Sequence, residues 1–216
     1  MGNECKICGH ETEEFNHEKF HMIFHQCNNC EFIWKDSSVH VSREDEFKVY
    51  ENHNNSILDE RYVNYFKDFI NASIVPFAGE GREGLDFGSG PEPVLSMIME
   101  RDYGYEMDIY DKFYSTKKIY IGKNYDLITS TEVVEHMDDP LEYFRLFRKL
   151  LRDDGIIAIM TLFHPVEREK FADWFYIRDQ SHISFFTPRT MEVIAREVGL
   201  EFFYTNNHRY STFKIK

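Results

Sequence analysis

Cys5-Lys6-Ile7-Cys8 and Cys27-Asn28-Asn29-Cys30 hold every cysteine of the chain, with residues 9–26 between the pairs and none after Cys30. Two thiolates three positions apart can grip one metal ion from a single turn, and two such turns complete the tetrahedral shell that Zn2+ accepts. The spacing predicts a zinc-ribbon-like unit over residues 1–40, held by Cys5, Cys8, Cys27 and Cys30. Apolar residues in this stretch follow no long helical period, so its fold is expected to depend on the metal. Two disulfides or free thiols are the other outcomes the spacing permits. The start of the chain, Met1-Gly2-Asn3-Glu4-Cys5, lacks a basic stretch followed by an apolar one. That pattern points to a cytoplasmic, reducing setting, where thiolates stay available to metal. His10, His17, His21 and His25 could each replace a thiolate, but four sulfurs leave no open position for water, so the site reads as structural.

Charge narrows the partners. With 38 acidic residues against 25 basic ones, the formal charge of −13 repels polyphosphate, and no nucleic-acid partner is expected. No apolar run reaches the ~18 residues of a membrane span, so no membrane partner is expected either. The 216 residues suit one full-sized domain with a small appendage. Residues 41–78 open with a charged stretch, and Tyr62, Phe66, Phe69 and Ile70 then share one helical face, which predicts a helical connector. Over 79–216 short apolar runs alternate with helical patterns, the mark of a doubly wound α/β sheet. Strands are expected at 84–87, 106–110, 125–129, 156–160, 200–204 and 210–215. Helices are expected after Pro93, over 140–151 and over 190–198.

Three places in this sheet carry chemistry. In Asp86-Phe87-Gly88-Ser89-Gly90, between a strand and a helix, Gly88 and Gly90 let the backbone approach a ligand, and helix-start amides attract an anionic group. Asp111 ends the next strand, where an acid can accept both hydroxyls of a ribose; a turn carboxylate looks the same in sequence. The strand from Tyr125 runs into Thr129-Ser130-Thr131-Glu132-Val133-Val134-Glu135-His136, where open sheets place their ligand crevice. A helical turn there would put Glu132, Glu135 and His136 on one face. They could supply a general base, or hold a divalent cation. A solvated first helical turn is the plainer alternative.

Together with Asp154-Gly-Ile-Ile-Ala-Ile-Met160, these runs resemble the class I S-adenosylmethionine-dependent methyltransferases. They are similar above all to bacterial members with a cysteine-rich N-terminal segment and a Glu-x-x-Glu-His stretch after the fourth strand. The resemblance implies a Rossmann-like seven-stranded sheet whose last strand is antiparallel, S-adenosylmethionine as cofactor, and methyl transfer to an O, N or C nucleophile of a small-molecule acceptor. It implies that Asp86, Gly88 and Gly90 hold the methionine end, that Asp111 takes the ribose, and that Thr131 belongs to the cofactor-binding set. Two features depart from the family pattern. Glu92 stands where a third glycine is usual, and only residues 112–124 lie between Asp111 and Tyr125, room for no more than an abbreviated third strand at 118–121.

After the fifth strand, residues 160–186 are rich in aromatics, and in this fold that connection overhangs the methyl donor. Such rings could keep water from the sulfonium and favour its charge. His182, three residues after Asp179, is the expected general base, with Tyr176 as its hydroxyl partner and with Glu132 and His136 facing the reacting region. In the plainer alternative His182 bonds a backbone carbonyl and Trp174, Phe175 and Phe185 are core. For the whole chain the alternative is a non-catalytic module, its cofactor site spoiled by Glu92 and its zinc segment docking a protein partner.

Overall fold

The computed structural model describes residues 4–51 and 56–216; the first three residues of the N-terminal reading and residues 52–55 of the connector lie outside them. The elements are β1 (Glu13–His17), β2 (Met22–Gln26), β3 (Ile33–Lys35), α1 (Arg43–Glu51), α2 (Glu60–Ser73), β4 (Glu83–Phe87), α3 (Val94–Tyr103), β5 (Glu106–Tyr110), β6 (Tyr125–Thr131), α4 (Pro140–Leu150), β7 (Leu151–Met160), α5 (Arg168–Asp173), β8 (Ser184–Phe185), α6 (Pro188–Val198), β9 (Leu200–Thr205) and β10 (Tyr210–Ile215). No helix among the described residues is long and apolar enough to cross a membrane.

The apolar run of β7 is buried throughout from Ile156 to Met160, because helices cover both faces of the sheet. Its strand order is β5-β4-β6-β7-β10-β9, with β4 to β7 parallel and β10 antiparallel to both β7 and β9. On one face lie α2 and α3, with Phe66, Phe69 and Ile70 of the connector packed against Val94, Ile98 and the sheet. On the other lie α4 and α6. Asp139 caps α4 by accepting the Glu142 amide, and Pro140 at its first position spares an unpaired donor. A Thr187–Thr190 capping box starts α6, and Gly199 at φ +74° ends it.

Among the described residues this sheet has six strands, not the expected seven. The segment 118–121, expected as a short third strand, is a turn closed by Ile121 N–H to Lys118 O at 3.2 Å and Lys123 N–H to Tyr120 O at 3.1 Å. A parallel crossover alone needs about a dozen residues, so 112–124 can return the chain to β6 but cannot add a strand. Tyr120 fills the place instead, its ring against Tyr110 and Phe87.

The N-terminal segment forms a second sheet of order β1-β2-β3-β8, whose last strand comes from beyond β7. Ile33 pairs with Phe185 and Trp34 with Ser184. Each cysteine pair closes a turn: Gly9 N–H bonds Cys5 O at 2.9 Å and Glu31 N–H bonds Cys27 O at 2.8 Å. The four sulfurs lie within 4.8 Å of one another and form no disulfide, an arrangement that resembles a zinc-ribbon unit. Cys5, Cys27, Cys30, Phe32 and Trp34 share one core with α4, α6 and the large sheet.

Candidate active site

A cavity of about 630 Å3 lies at the carboxyl ends of β4, β5 and β6. Asp86, Gly88, Gly90, Asp111 and Thr131 line it together with Glu132, His136, Tyr176 and His182, so the structure brings all nine of these sequence-predicted residues to one space.

One wall is the glycine loop. Gly88 has φ +92°, and a Cβ there would sit 2.2 Å from Val133 Cγ2, so only glycine lets the loop lie this close to the β6 end. The Gly88 and Ser89 amides donate to Tyr110 O, tying the loop to β5. Asp111 accepts three backbone N–H groups, from Gly90 at 3.1 Å, Phe113 at 2.7 Å and Tyr114 at 3.0 Å. A carboxylate offers about four lone-pair positions, so room for a hydroxyl remains. Asp86 is fully buried and accepts the hydroxyls of Thr129 at 2.9 Å and Ser96 at 3.1 Å. Burial pushes its carboxyl up to about 6, with the nearby Asp111 charge adding to the rise. Glu92, standing for the third glycine, lines the cavity as well, with Oε1 accepting the Ile57 amide at 3.0 Å.

The opposite wall departs from the expected helical face. β6 runs on to Thr131, Glu132 N–H bonds Met160 O at 2.8 Å, and Glu132 itself adopts φ +54°, outside the single 3-10 turn Val134–His136. The ladder to β7 thus holds Glu132 out of line with Glu135 and His136. Its oxygens accept the hydroxyls of Tyr65 at 2.7 Å and Tyr176 at 2.8 Å, and Arg209 donates to Tyr65 Oη at 3.1 Å. The Tyr176 hydroxyl also bonds Glu135. One phenolic proton cannot serve both acids, so one carboxyl must carry a proton of its own. That carboxyl is Glu135, which is fully buried; burial and the Glu132 charge push it well above the usual carboxylate range.

The Tyr176 hydroxyl therefore serves the two glutamates, while its ring lies 4.0 Å from the His182 ring and its carbonyl accepts His182 Nδ1–H at 3.0 Å. His136 Nδ1–H donates to Ser181 O at 2.9 Å. Carbonyls only accept, so on both rings the proton sits on Nδ1 and the lone pair on Nε2. His182 Nε2 lies 3.7 Å from Asp179 Oδ2. Burial, with His182 beside it, takes His136 down to about 3, and burial lowers His182 as well; both are neutral imidazoles near pH 7. Sequence reasoning missed Tyr65, one position before Phe66 at the rim of the apolar stripe of α2, and Arg209, which carries no local signal.

A family model described as a methyltransferase domain matches residues 58–204. The chain belongs to this methyltransferase family. The ubiquinone biosynthesis O-methyltransferase of Dinoroseobacter shibae is 29% identical over 126 residues, covering 55% of this chain and 50% of that protein. The chain spans about half the length of the curated relatives it matches. Among solved structures, CalO1, a methyltransferase in calicheamicin biosynthesis in its SAH bound form, superposes with a TM-score of 0.58 at 11% identity, over 80% of this chain and 58% of that one. The plantazolicin methyltransferase BpumL in complex with SAH gives 0.54 at 13% identity, over 81% and 92%. These two likenesses show the fold.

Proposed function

We propose that the chain transfers a methyl group from S-adenosylmethionine to an O, N or C nucleophile of a small molecule. The observation that carries this reading is the single cavity in which a glycine loop with Asp111 faces a wall of acids and neutral imidazoles. S-adenosylmethionine supplies a methyl already activated on a sulfonium, so the chain's own work is alignment, exclusion of water and proton removal. The residues fit that cofactor. Gly88 lets the loop close against Val133 beside the cavity, the Asp111 carboxylate keeps a lone pair for a ribose hydroxyl, and Thr131 lines the cavity at the end of β6. Glu92 lines the cavity with one oxygen held by the Ile57 amide, and Glu92→Gly, which restores the family's residue, should tighten S-adenosylhomocysteine binding if the carboxylate crowds the cofactor.

On the acceptor side, His182 Nε2 takes the nucleophile's proton as the nucleophile bonds the methyl carbon, and the electron pair of the breaking C–S bond stays on sulfur. Asp179 stabilises the imidazolium so formed, and the Tyr176 carbonyl on Nδ1 keeps the ring aimed. Calorimetry with S-adenosylhomocysteine tests the reading. The parent should bind, and Asp111→Ala should bind about 10- to 100-fold more weakly through loss of a charge-assisted hydrogen bond. Equal affinities would remove the ribose assignment. A parent that binds neither the cofactor nor its demethylated product would overturn the function.

A second reading, with a cation on the acceptor wall, rests on a separate observation. Glu135, His136 and His182 each present a ligand atom within 4.8 Å of the others, and Glu135 Oε2 is buried without a hydrogen-bond partner among the described residues. Glu132, expected among the ligands, bonds two tyrosine hydroxyls. The ligand set moves from Glu132, Glu135 and His136 to Glu135, His136 and His182, and two imidazoles with one carboxylate suit Zn2+, Co2+, Mn2+ or Fe2+ better than Mg2+. Co2+ added to zinc-loaded protein should then develop a visible absorption band that His136→Gln abolishes. A band that survives this substitution, or none in the parent, would remove the cation.

A further inference from the structure

Lys35 connects the cysteine-bearing sheet to the acceptor wall. It ends β3 with its side chain 1% exposed, and its Nζ donates to the backbone carbonyl of Asp179 at 2.7 Å, while its amide donates to Ile183 O at 2.9 Å. The Phe185 ring lies 5.9 Å from the ammonium. Burying such a charge costs free energy that a methionine of similar length would not. Burial brings the amine down to about 8, against the pull of the Asp179 charge.

The loop under Lys35 has little regular structure of its own between the 3-10 turn Phe175–Arg178 and the two residues of β8. From the opposite side it is held by Ile183 N–H to Glu135 O at 2.8 Å and Ser184 Oγ–H to Met137 O at 2.6 Å. Asp179 is where the loop turns. Its Oδ1 accepts the Ser181 amide at 2.8 Å and the Ser181 hydroxyl at 2.6 Å, its Oδ2 faces His182, and Ser181 O receives His136 Nδ1–H. The turn beside the peptide that Lys35 grips therefore sets the direction of His136 and the carboxylate that faces His182, whose Nδ1–H is held by the Tyr176 carbonyl.

We infer that Lys35 is a positioning residue for the acceptor side: its buried ammonium locks the Asp179 carbonyl, so that Asp179, His136 and His182 are presented to the cavity together. The role rests on the methyltransferase reading, in which that wall receives the acceptor. It is tested in the full zinc-loaded chain with Lys35→Met, which fills the same space without charge, and Lys35→Arg, which restores a charged donor. In Lys35→Met, zinc content, thermal stability and S-adenosylhomocysteine affinity should be retained. Amide exchange over residues 179–185 should quicken about tenfold for the loss of one charge-assisted hydrogen bond. The hydrogen-bonded Nδ1–H signals of His136 and His182 in imidazole 15N spectra should move or vanish, and Lys35→Arg should bring them back. Unchanged exchange and unchanged imidazole signals in Lys35→Met would overturn the role. So would faster exchange spread equally over β1 and β2, because Lys35 would then merely hold the small sheet together. A parent that fails to bind S-adenosylhomocysteine would defeat the functional reading and leave the exchange result standing.

Discussion

Cys30→Ser is expected to release the metal and to loosen far more of the molecule than the segment that carries it. A four-thiolate zinc site contributes about 10 kcal/mol or more of apparent folding free energy to a small unit, and the three short strands β1–β3 otherwise rest on apolar clusters that they share with α5, β8 and the large sheet. The loss should not stop at residue 40. β3 is the partner of β8, the Cys30 carbonyl accepts the Thr190 hydroxyl at 2.9 Å, and Glu31 accepts the Thr187 hydroxyl at 2.7 Å just before α6. Exchange protection should therefore fall over 4–35 and over 176–190 together. The glycine loop and Asp111, which among the described residues bond to each other and to β5 and its following loop, should keep theirs, and S-adenosylhomocysteine should still bind. Elemental analysis with exchange mass spectrometry reads each part. Metal-free parent protein with four titratable thiols would overturn the zinc site, and protection lost over 4–35 alone would show that the two sheets are independent.

What was legible in the sequence follows the range of the forces involved. The cysteine pairs, the Gly88-Ser89-Gly90 turn and the apolar run 156–160 are local, and the structure places them as expected in the metal-type cluster, the cavity wall and the central strand. The start of β7 was hidden because Arg152, Asp153 and Asp154 are exposed polar residues on a strand, and Arg152 pairs with Asp126 at 2.8 Å. β8 was invisible, since a two-residue strand is defined only by a partner about 150 residues away. The helical reading of Glu132 failed because a ladder bond from β7, not local propensity, sets its backbone. Tyr65, Arg209 and Lys35 reach the site through tertiary packing, and nothing in their neighbours announces it.

His182→Gln is expected to lower kcat by about 10²- to 10⁴-fold when the acceptor is a hydroxyl or carbon acid, with cofactor affinity nearly intact. Glutamine keeps a donor for the Tyr176 carbonyl but has no lone pair basic enough to take the acceptor's proton. The pH profile of the parent carries the same signature. Burial lowers the His182 imidazole, so the unprotonated base persists to more acid pH than the ~6.5 of a free imidazole. The rate should fall on the acid side only below that value, and this limb should be gone in His182→Gln. Asp179 opposes the shift by favouring the imidazolium, and Asp179→Asn should move the limb further toward acid. His136→Gln separates the two readings of the wall. Without a cation it should reduce kcat only modestly, because its Nδ1–H serves Ser181 O and His182 still takes the proton. With a cation it should match His182→Gln, and chelation should abolish turnover of the parent. A His182→Gln enzyme with normal turnover would make the histidine structural and return the base to Glu132, which accepts two tyrosine hydroxyls at the cavity wall.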